Sequence, residues 1–313
     1  MRFLHNIKNN AAIKISDKAK GVIPIYVLLL PAMILLFIFH YIPIAGIMIA
    51  FKDYNPFQGI LKSAWVGTKY FKLYFTDTNF WRVMKNTLVI NVYQLIFGFP
   101  FPIIFALLLN EIRANKFKKI VQTISYLPHF ISWVVAAAIT TAILSPVTGI
   151  VNVVLKNLFG VEPIYFLVKK EYFRTILVIT STWKNFGMSA VYYIASLASI
   201  DQELYQAASI DGAGRLKQTW HITLPGLRNI IIVLLVINLG NILNIGFEQI
   251  FLLYNDMVYD VGDVISTYTY RIGLEGGRYS LTTAIGLGQS VVNFLLVYSA
   301  NKASRVVAGW SLW

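Results

Sequence analysis

No cysteine occurs among the 313 residues. That excludes disulfides, thiolate metal sites and a cysteine nucleophile. Histidine is scarce: His5, His40, His129 and His221 lie far apart, without metal-ligand spacing and without His-Glu-x-x-His. No Gly-x-x-x-x-Gly-Lys-Ser/Thr run occurs, so any ATP in the system has to be bound by another chain. Gly212-Ala213-Gly214 is only a fragment of a dinucleotide fingerprint, with no strand before it. No paired catalytic constellation is present, which argues against an enzyme. Charge is sparse, at 13% of residues, about half the share of a soluble domain. Acids are the rarer sign: 14 Asp and Glu against 27 Lys and Arg give a net +13. The basic residues are scattered at the ends of apolar runs, a placement that suits lipid headgroups and not nucleic acid.

What the chain has instead is apolar length. Hydrophobic residues make up 57%, and mean hydropathy is +0.63. The expectation is an all-α integral membrane protein with six transmembrane helices. They cover Ile25 to Phe51, Asn86 to Asn110, Pro128 to Leu144, Thr175 to Leu197, Asn229 to Phe251 and Leu281 to Asn301. Residues 1–22 form a basic segment, and residues 23–313 the six-span transmembrane domain with a polar loop at about 199–228. The first apolar run is too long for a signal-peptide core and reads as a retained span. Pro31 and Pro43 are expected to kink it, and Gly98-Phe99-Pro100-Phe101-Pro102 to break the second. Tyr54-Asn55-Pro56-Phe57 reads as a turn, and Phe80 to Lys85 as a stretch along the membrane surface. Glu111 to Lys119 reads as a basic connector, and Val151 to Phe159 as a short amphipathic helix. No internal repeat or soluble domain is visible. Basic residues divide almost evenly between the two sides, but the short segments 1–22 and 112–127 favour cytoplasmic N- and C-termini.

Polar residues inside apolar runs are costly and so mark candidate sites. Asn238, Asn241, Asn244 and Glu248 would share one face of a continuous helix. They could line a translocation path or bond to another helix. Lys184 is the one cation inside a span; it could face a pathway, pair with Glu248, or bond a backbone carbonyl. Trp183 and Tyr192, with Phe186 and Tyr193, are nearby aromatics that could stack on a ring-bearing ligand or simply pack.

One polar stretch, about residues 199–228, lies between two long apolar segments. Asp201 can cap a helix that carries Glu203 in its first turn. Leu204, Ala207 and Ala208 give it a small apolar face, and Gly212 ends it. A second helical piece is expected to stop at Pro225. Tyr205-Gln206-Ala207-Ala208, then Asp211-Gly212-Ala213, then Ile222-Thr223-Leu224-Pro225 resembles the EAA loop of ABC-importer permeases. Gln206 stands where that family usually has Glu, so length is kept and charge is lost. Phe80-Trp81-Arg82, Asn86-Thr87-Leu88, Tyr126-Leu127-Pro128, Trp183-Lys184-Asn185-Phe186-Gly187 and Leu197-Ala198-Ser199-Ile200-Asp201 extend the resemblance. Tyr279 to Leu287 and the Ser-Leu-Trp ending resemble the branch that serves polysaccharide and oligosaccharide importers, related to maltose-type permeases.

The resemblance implies a type I ABC-importer permease in the cell membrane of a prokaryote. It implies a second permease subunit, expected to be a different chain, and two ATPase subunits that use ATP and Mg. An extracytoplasmic solute-binding protein, often a lipoprotein, would deliver a carbohydrate. This chain itself would hold no cofactor. The ATPase-coupling residues would be Tyr205, Gln206, Ala207, Ala208, Asp211, Gly212, Ala213, Ile222, Leu224 and Pro225. Import of a non-sugar solute, or an ATP-independent carrier or channel, are the competing expectations.

Overall fold

The structure is a computed structural model that describes Val22 and residues 24–308. The basic segment 1–21, with His5, and the Ser-Leu-Trp ending lie outside the described residues. The rest divides into two units, with the boundary after Tyr70.

The first unit is built on α1 (Pro24–Phe51), a 28-residue apolar helix whose hydrophobic side chains are exposed along its length. The helix does not break at Pro31. It widens instead into a π turn at Phe37–Tyr41, where Ile42 N–H donates to Phe37 O. A short hairpin follows, pairing β1 (Lys52–Asp53) with β2 (Ala64–Trp65). The expected turn between them closes on Asn55, whose Oδ1 accepts Phe57 N–H at 3.0 Å.

The second unit is helical throughout. After α2 (Lys69–Thr76), Asp77 caps α3 (Thr78–Asn110) by accepting Asn79 N–H at 2.9 Å. Phe80 to Lys85 are therefore the first turns of this helix and not a separate surface stretch. The break expected at Gly98 to Pro102 is also absent. A π turn at Gln94–Gly98 takes its place, with Phe99 N–H donating to Gln94 O at 3.0 Å.

The third apolar run differs most from expectation. It is two helices, α4 (Asn115–Phe130) and α5 (Trp133–Leu144), bent by 103° at Ile131 and Ser132. Ser132 Oγ accepts Val135 N–H at 3.3 Å, so a good N-cap sits at the corner and starts a new axis. Pro128 is inside α4 and does not open a span. The amphipathic α6 (Ile150–Phe159) forms as expected. Next comes α7 (Lys170–Leu197), the hub of the unit. One buried cluster joins Ile90, Ala137, Phe173, Leu177, Ile250 and Val264 around it; a second joins Ala106, Ala190, Tyr193, Leu197 and Leu227. A Cβ on Gly187 would fall 2.0 Å from Ser125 O, so the crossing of α7 and α4 requires glycine there.

The polar loop forms α8 (Gln202–Ile210) and α9 (Arg215–Gly226). As expected, α9 ends at Pro225 to within one residue: a π turn at Thr219–Thr223 precedes the proline, the helix stops at Gly226, and the chain bends by 56° into the next apolar helix. The next helix, α10 (Arg228–Gly240), ends early. Residues 241–246 are not helical, and α11 (Phe247–Leu253) resumes beyond them. The single rod expected from Asn229 to Phe251 is thus discontinuous. The final helix is α12 (Tyr279–Ala308).

Among the described residues three helices, α1, α3 and α12, are long and apolar enough to cross a membrane. The number is up to five if each bent pair is one span. The 28-residue α7 has the length but carries Thr180, Ser181, Thr182, Lys184 and Asn185 in its middle, which lowers its hydropathy.

Candidate functional site: a polar loop and a polar cavity

The loop helix α8 is closed at both ends by its own residues. Asp201 Oδ1 accepts Glu203 N–H at 2.9 Å. At the other end Gly212 adopts φ +74°, and Ala213 N–H reaches back to Ala208 O at 2.8 Å. Asp211 N–H donates to Ala207 O at 3.0 Å. Tyr205 OH lies 3.0 Å from Thr223 Oγ1 and ties α8 to α9. Gln206, Ala207 and Pro225 are exposed, while Ala208, Ile222 and Leu224 are half-buried.

Several residues of this loop carry no sequence signal of their own. Gln218 Nε2 donates to Ser209 Oγ and to Ala213 O, each at 2.9 Å, and braces the turn after α8. Arg215 Nη1 meets Glu111 Oε2 at 3.2 Å, joining the loop to the connector before α4. Ile210, Leu216 and Trp220 are 88%, 87% and 69% exposed. Three large apolar side chains beside a rigid polar turn form a face suited to burial against another protein.

At the other end of the same long helix lies a network of opposite charges. Asp263 is fully buried and accepts from Arg271 Nη2 at 2.7 Å and Thr267 Oγ1 at 2.8 Å, with Arg82 Nη2 at 3.6 Å. Asn86 Nδ2 donates to the backbone oxygens of Asp260 and Asp263, and its Oδ1 accepts Arg174 Nη2 at 2.8 Å. Asp260 bonds Lys170 and, at 3.3 Å, Arg82. The Lys170 ammonium beside it holds the Asp260 carboxyl below its usual range, with Arg82 adding to the effect.

Between these ends α3, α7 and α10 enclose a cavity of about 310 Å³. Asn91, Gln94, Thr182, Asn185, Ser189, Tyr192 and Asn238 line it with neutral polar groups; Phe99, Phe186 and Tyr193 supply rings. No charged side chain lines it. The amide nitrogens of Asn91 and Asn238 each donate one N–H, to Thr87 O and Leu234 O, at 3.0 and 2.7 Å. Their Oδ1 atoms remain as acceptors. A Cβ on Gly98 would fall 2.2 Å from Gln94 Nε2, so glycine there keeps Gln94 in place.

Of the pathway residues expected from sequence, Asn238 and Tyr192 line this cavity. Asn241, Asn244 and Glu248 do not, because the break after Gly240 takes them off the face that Asn238 occupies. Asn244 Oδ1 instead accepts Gln289 Nε2 from α12 at 2.7 Å. Lys184 is 6% exposed and points elsewhere: Nζ donates to His129 O at 2.8 Å and lies over the Trp133 ring. The cation therefore caps the C-terminal end of α4, where the helix dipole favours it. Trp183 faces a separate apolar groove. His129 Nδ1 lies 3.2 Å from Asn185 Oδ1, and no group of metal-ligating side chains is found among the described residues.

With this geometry in hand, comparison with known proteins is informative. Residues 98–305 match the model of the family described as binding-protein-dependent transport system inner membrane component. Protein LplB of Bacillus subtilis (strain 168) is 45% identical over 281 residues, covering 90% of this chain and 88% of LplB. The polygalacturonan/rhamnogalacturonan transport system permease protein YteP of the same organism is 43% identical, covering 90% and 87%. A chain in the crystal structure of a bacterial ABC transporter involved in the import of the acidic polysaccharide alginate superposes with a TM-score of 0.85. It is 42% identical and covers 94% of this chain and 99% of its own. A chain of the bacterial alginate transporter in complex with alginate pentasaccharide-bound periplasmic protein gives a TM-score of 0.86 at the same identity. Sequence, loop and fold converge: the chain belongs to the binding-protein-dependent transport system inner membrane component family, the permease components of ABC importers.

Proposed function

We propose that this chain is one permease subunit of an ATP-driven importer of oligosaccharides or polysaccharide fragments. It crosses the cell membrane of a prokaryote six times, with both termini cytoplasmic. A second, different permease chain completes the pathway, and separate ATPase subunits hydrolyse ATP. A solute-binding protein delivers the sugar on the side opposite the loop.

The exposed face of the loop is the observation that carries this reading. Asp201, Gly212 and Gln218 brace α8, while Ile210, Leu216 and Trp220 stand exposed among the described residues. A partner that binds this face can move the loop as one body. Movement would pass through α7 and α10, which flank the loop and line the cavity. The neutral lining suits sugar hydroxyls: carbonyl acceptors for their protons, and ring faces for their C–H surfaces. The names of the relatives support a carbohydrate as cargo.

The test is purification of the intact complex from native membranes, with bound solute identified by mass spectrometry. An ATPase and an oligosaccharide should co-purify. Ala207→Glu should abolish ATPase retention and uptake while leaving the chain in the membrane. Full uptake by that variant would overturn the docking role; a bound amino acid or peptide would overturn the cargo assignment.

A further inference from the structure

A second cavity, of about 450 Å³, opens on the flank of the helical unit away from the polar one. Ile139, Ile143 and Leu144 of α5 form one wall, and Ile176, Ile179 and Trp183 of α7 the other. Of the three threonines that line it, Thr140 and Thr180 turn their hydroxyls to their own helices, donating to Ala136 O at 2.8 Å and Ile176 O at 2.7 Å. They present methyl groups to the groove. Ile179 is 62% exposed, and none of the described residues covers it.

The groove has a depth and an end. Along α7 it runs from Tyr172 to Trp183, about 17 Å at 1.5 Å per residue. That is close to half of the roughly 30 Å hydrocarbon layer. A partner helix that crosses the layer would need about twice that length. Tyr172 also lines a shallow polar depression with Lys169, Lys170 and Glu171. Lys170 is held by Asp260. Lys169 forms no salt bridge and stands exposed at the head of α7. Glu171, one residue on, is in the first turn, where the helix dipole favours an acid.

We infer that this groove binds one acyl chain of an anionic phospholipid from the leaflet opposite the coupling loop, with Lys169 holding the headgroup phosphate. An apolar slot of single-leaflet depth, with a free ammonium at its mouth and an interfacial tyrosine between, matches the order of groups along such a lipid. The tail packs on α5 and α7, the two helices that also meet where Lys184 Nζ lies over the Trp133 ring.

The test uses the purified full chain in nanodiscs doped with photoreactive phosphatidylglycerol or with phosphatidylcholine carrying the same diazirine acyl chain. Cross-linked peptides are mapped by mass spectrometry. Phosphatidylglycerol should label residues 139–144 and 172–183, about five-fold more than phosphatidylcholine, the advantage one lysine near the surface supplies. Lys169→Gln should reduce that ratio to one, while Lys118→Gln, on the coupling-loop side, should leave it unchanged. Ile179→Trp should fill the slot and suppress labelling by both lipids. Equal labelling by the two headgroups, labelling confined to other helices, or an unchanged ratio in Lys169→Gln would overturn the assignment. So would cross-linking of the slot to a second protein chain when a photoreactive residue replaces Ile179.

Discussion

Asp263 is the residue on which the end of the unit opposite the coupling loop depends. A fully buried carboxylate is tolerated only with its charges matched, and Arg271 makes the shortest contact to it. Arg271→Met should destabilise the protein by about 3 kcal/mol, at the low end of the range for breaking a buried pair, because Thr267 and Arg82 remain. A thermal melt of the purified chain would read this. An unchanged melting temperature would mean that the network is not structural. Asp260 behaves differently, because its carboxyl is exposed. Its folded pKa is lowered, so the stability it contributes is present above the unfolded carboxylate range and is lost only as pH falls through the lower, folded value. Between pH 8 and pH 5 the Lys170–Asp260 pair should therefore contribute no pH dependence. A stability difference between wild type and Asp260→Asn that changes across that window would contradict this. None of these pairs was legible in the sequence. Asn86 and Asp263 lie 177 positions apart, and no local pattern links them. The Asp201 cap was legible, because donor and acceptor sit two residues apart.

At the scale of the element, the prolines teach most. The sequence marks a kink at Pro43, a break near Pro100 and a stop at Pro225; the helices continue through the first two, and α9 ends one residue after the third. In each case a π turn comes first: Phe37–Tyr41, Gln94–Gly98 and Thr219–Thr223. In each, the residue before the proline donates its N–H five residues back, to Phe37, Gln94 or Thr219. A wider turn moves the carbonyl that the proline ring would otherwise strike, and no ladder bond is expected from a residue that has no N–H. Real discontinuities fall where sequence shows only ordinary residues: Ile131-Ser132 and the stretch after Gly240. In the coupling loop the sequence reading of a glycine stop is matched by Gly212 at φ +74°. Gly212→Ala would force a β-carbon into that left-handed conformation and should cost about 1 kcal/mol or more. The expected readout is weaker retention of the ATPase on purification, with normal amounts of chain in the membrane. Equal retention would mean that the turn can re-form without glycine.

At the scale of the molecule, composition pointed to a helical membrane protein, and the resemblance of residues 205–225 to the EAA loop pointed to the family that the comparisons show. What stayed hidden was the cavity, because its lining comes from three helices far apart in sequence. Asn238 and Tyr192 stood out as polar or aromatic residues in apolar runs. Gln94, Thr182 and Ser189 did not, since such residues are common in helices that pack on one another. Lys184 was visible as an anomaly, but its partner, a backbone carbonyl, leaves no mark in any sequence.

That contact carries a consequence for biosynthesis. The ribosome delivers α4 and α5 before α7, and His129 O waits 55 positions for the ammonium that satisfies it. An unmatched carbonyl in a lipid environment costs several kcal/mol. The corner between α4 and α5 should therefore remain in the translocon, or at the water boundary, until Lys184 emerges. Nascent chains truncated before residue 184 should leave α5 open to a glycosylation reporter, and chains extended through Leu197 should bury it. If both lengths give the same protection, the two helices settle without the lysine that follows them.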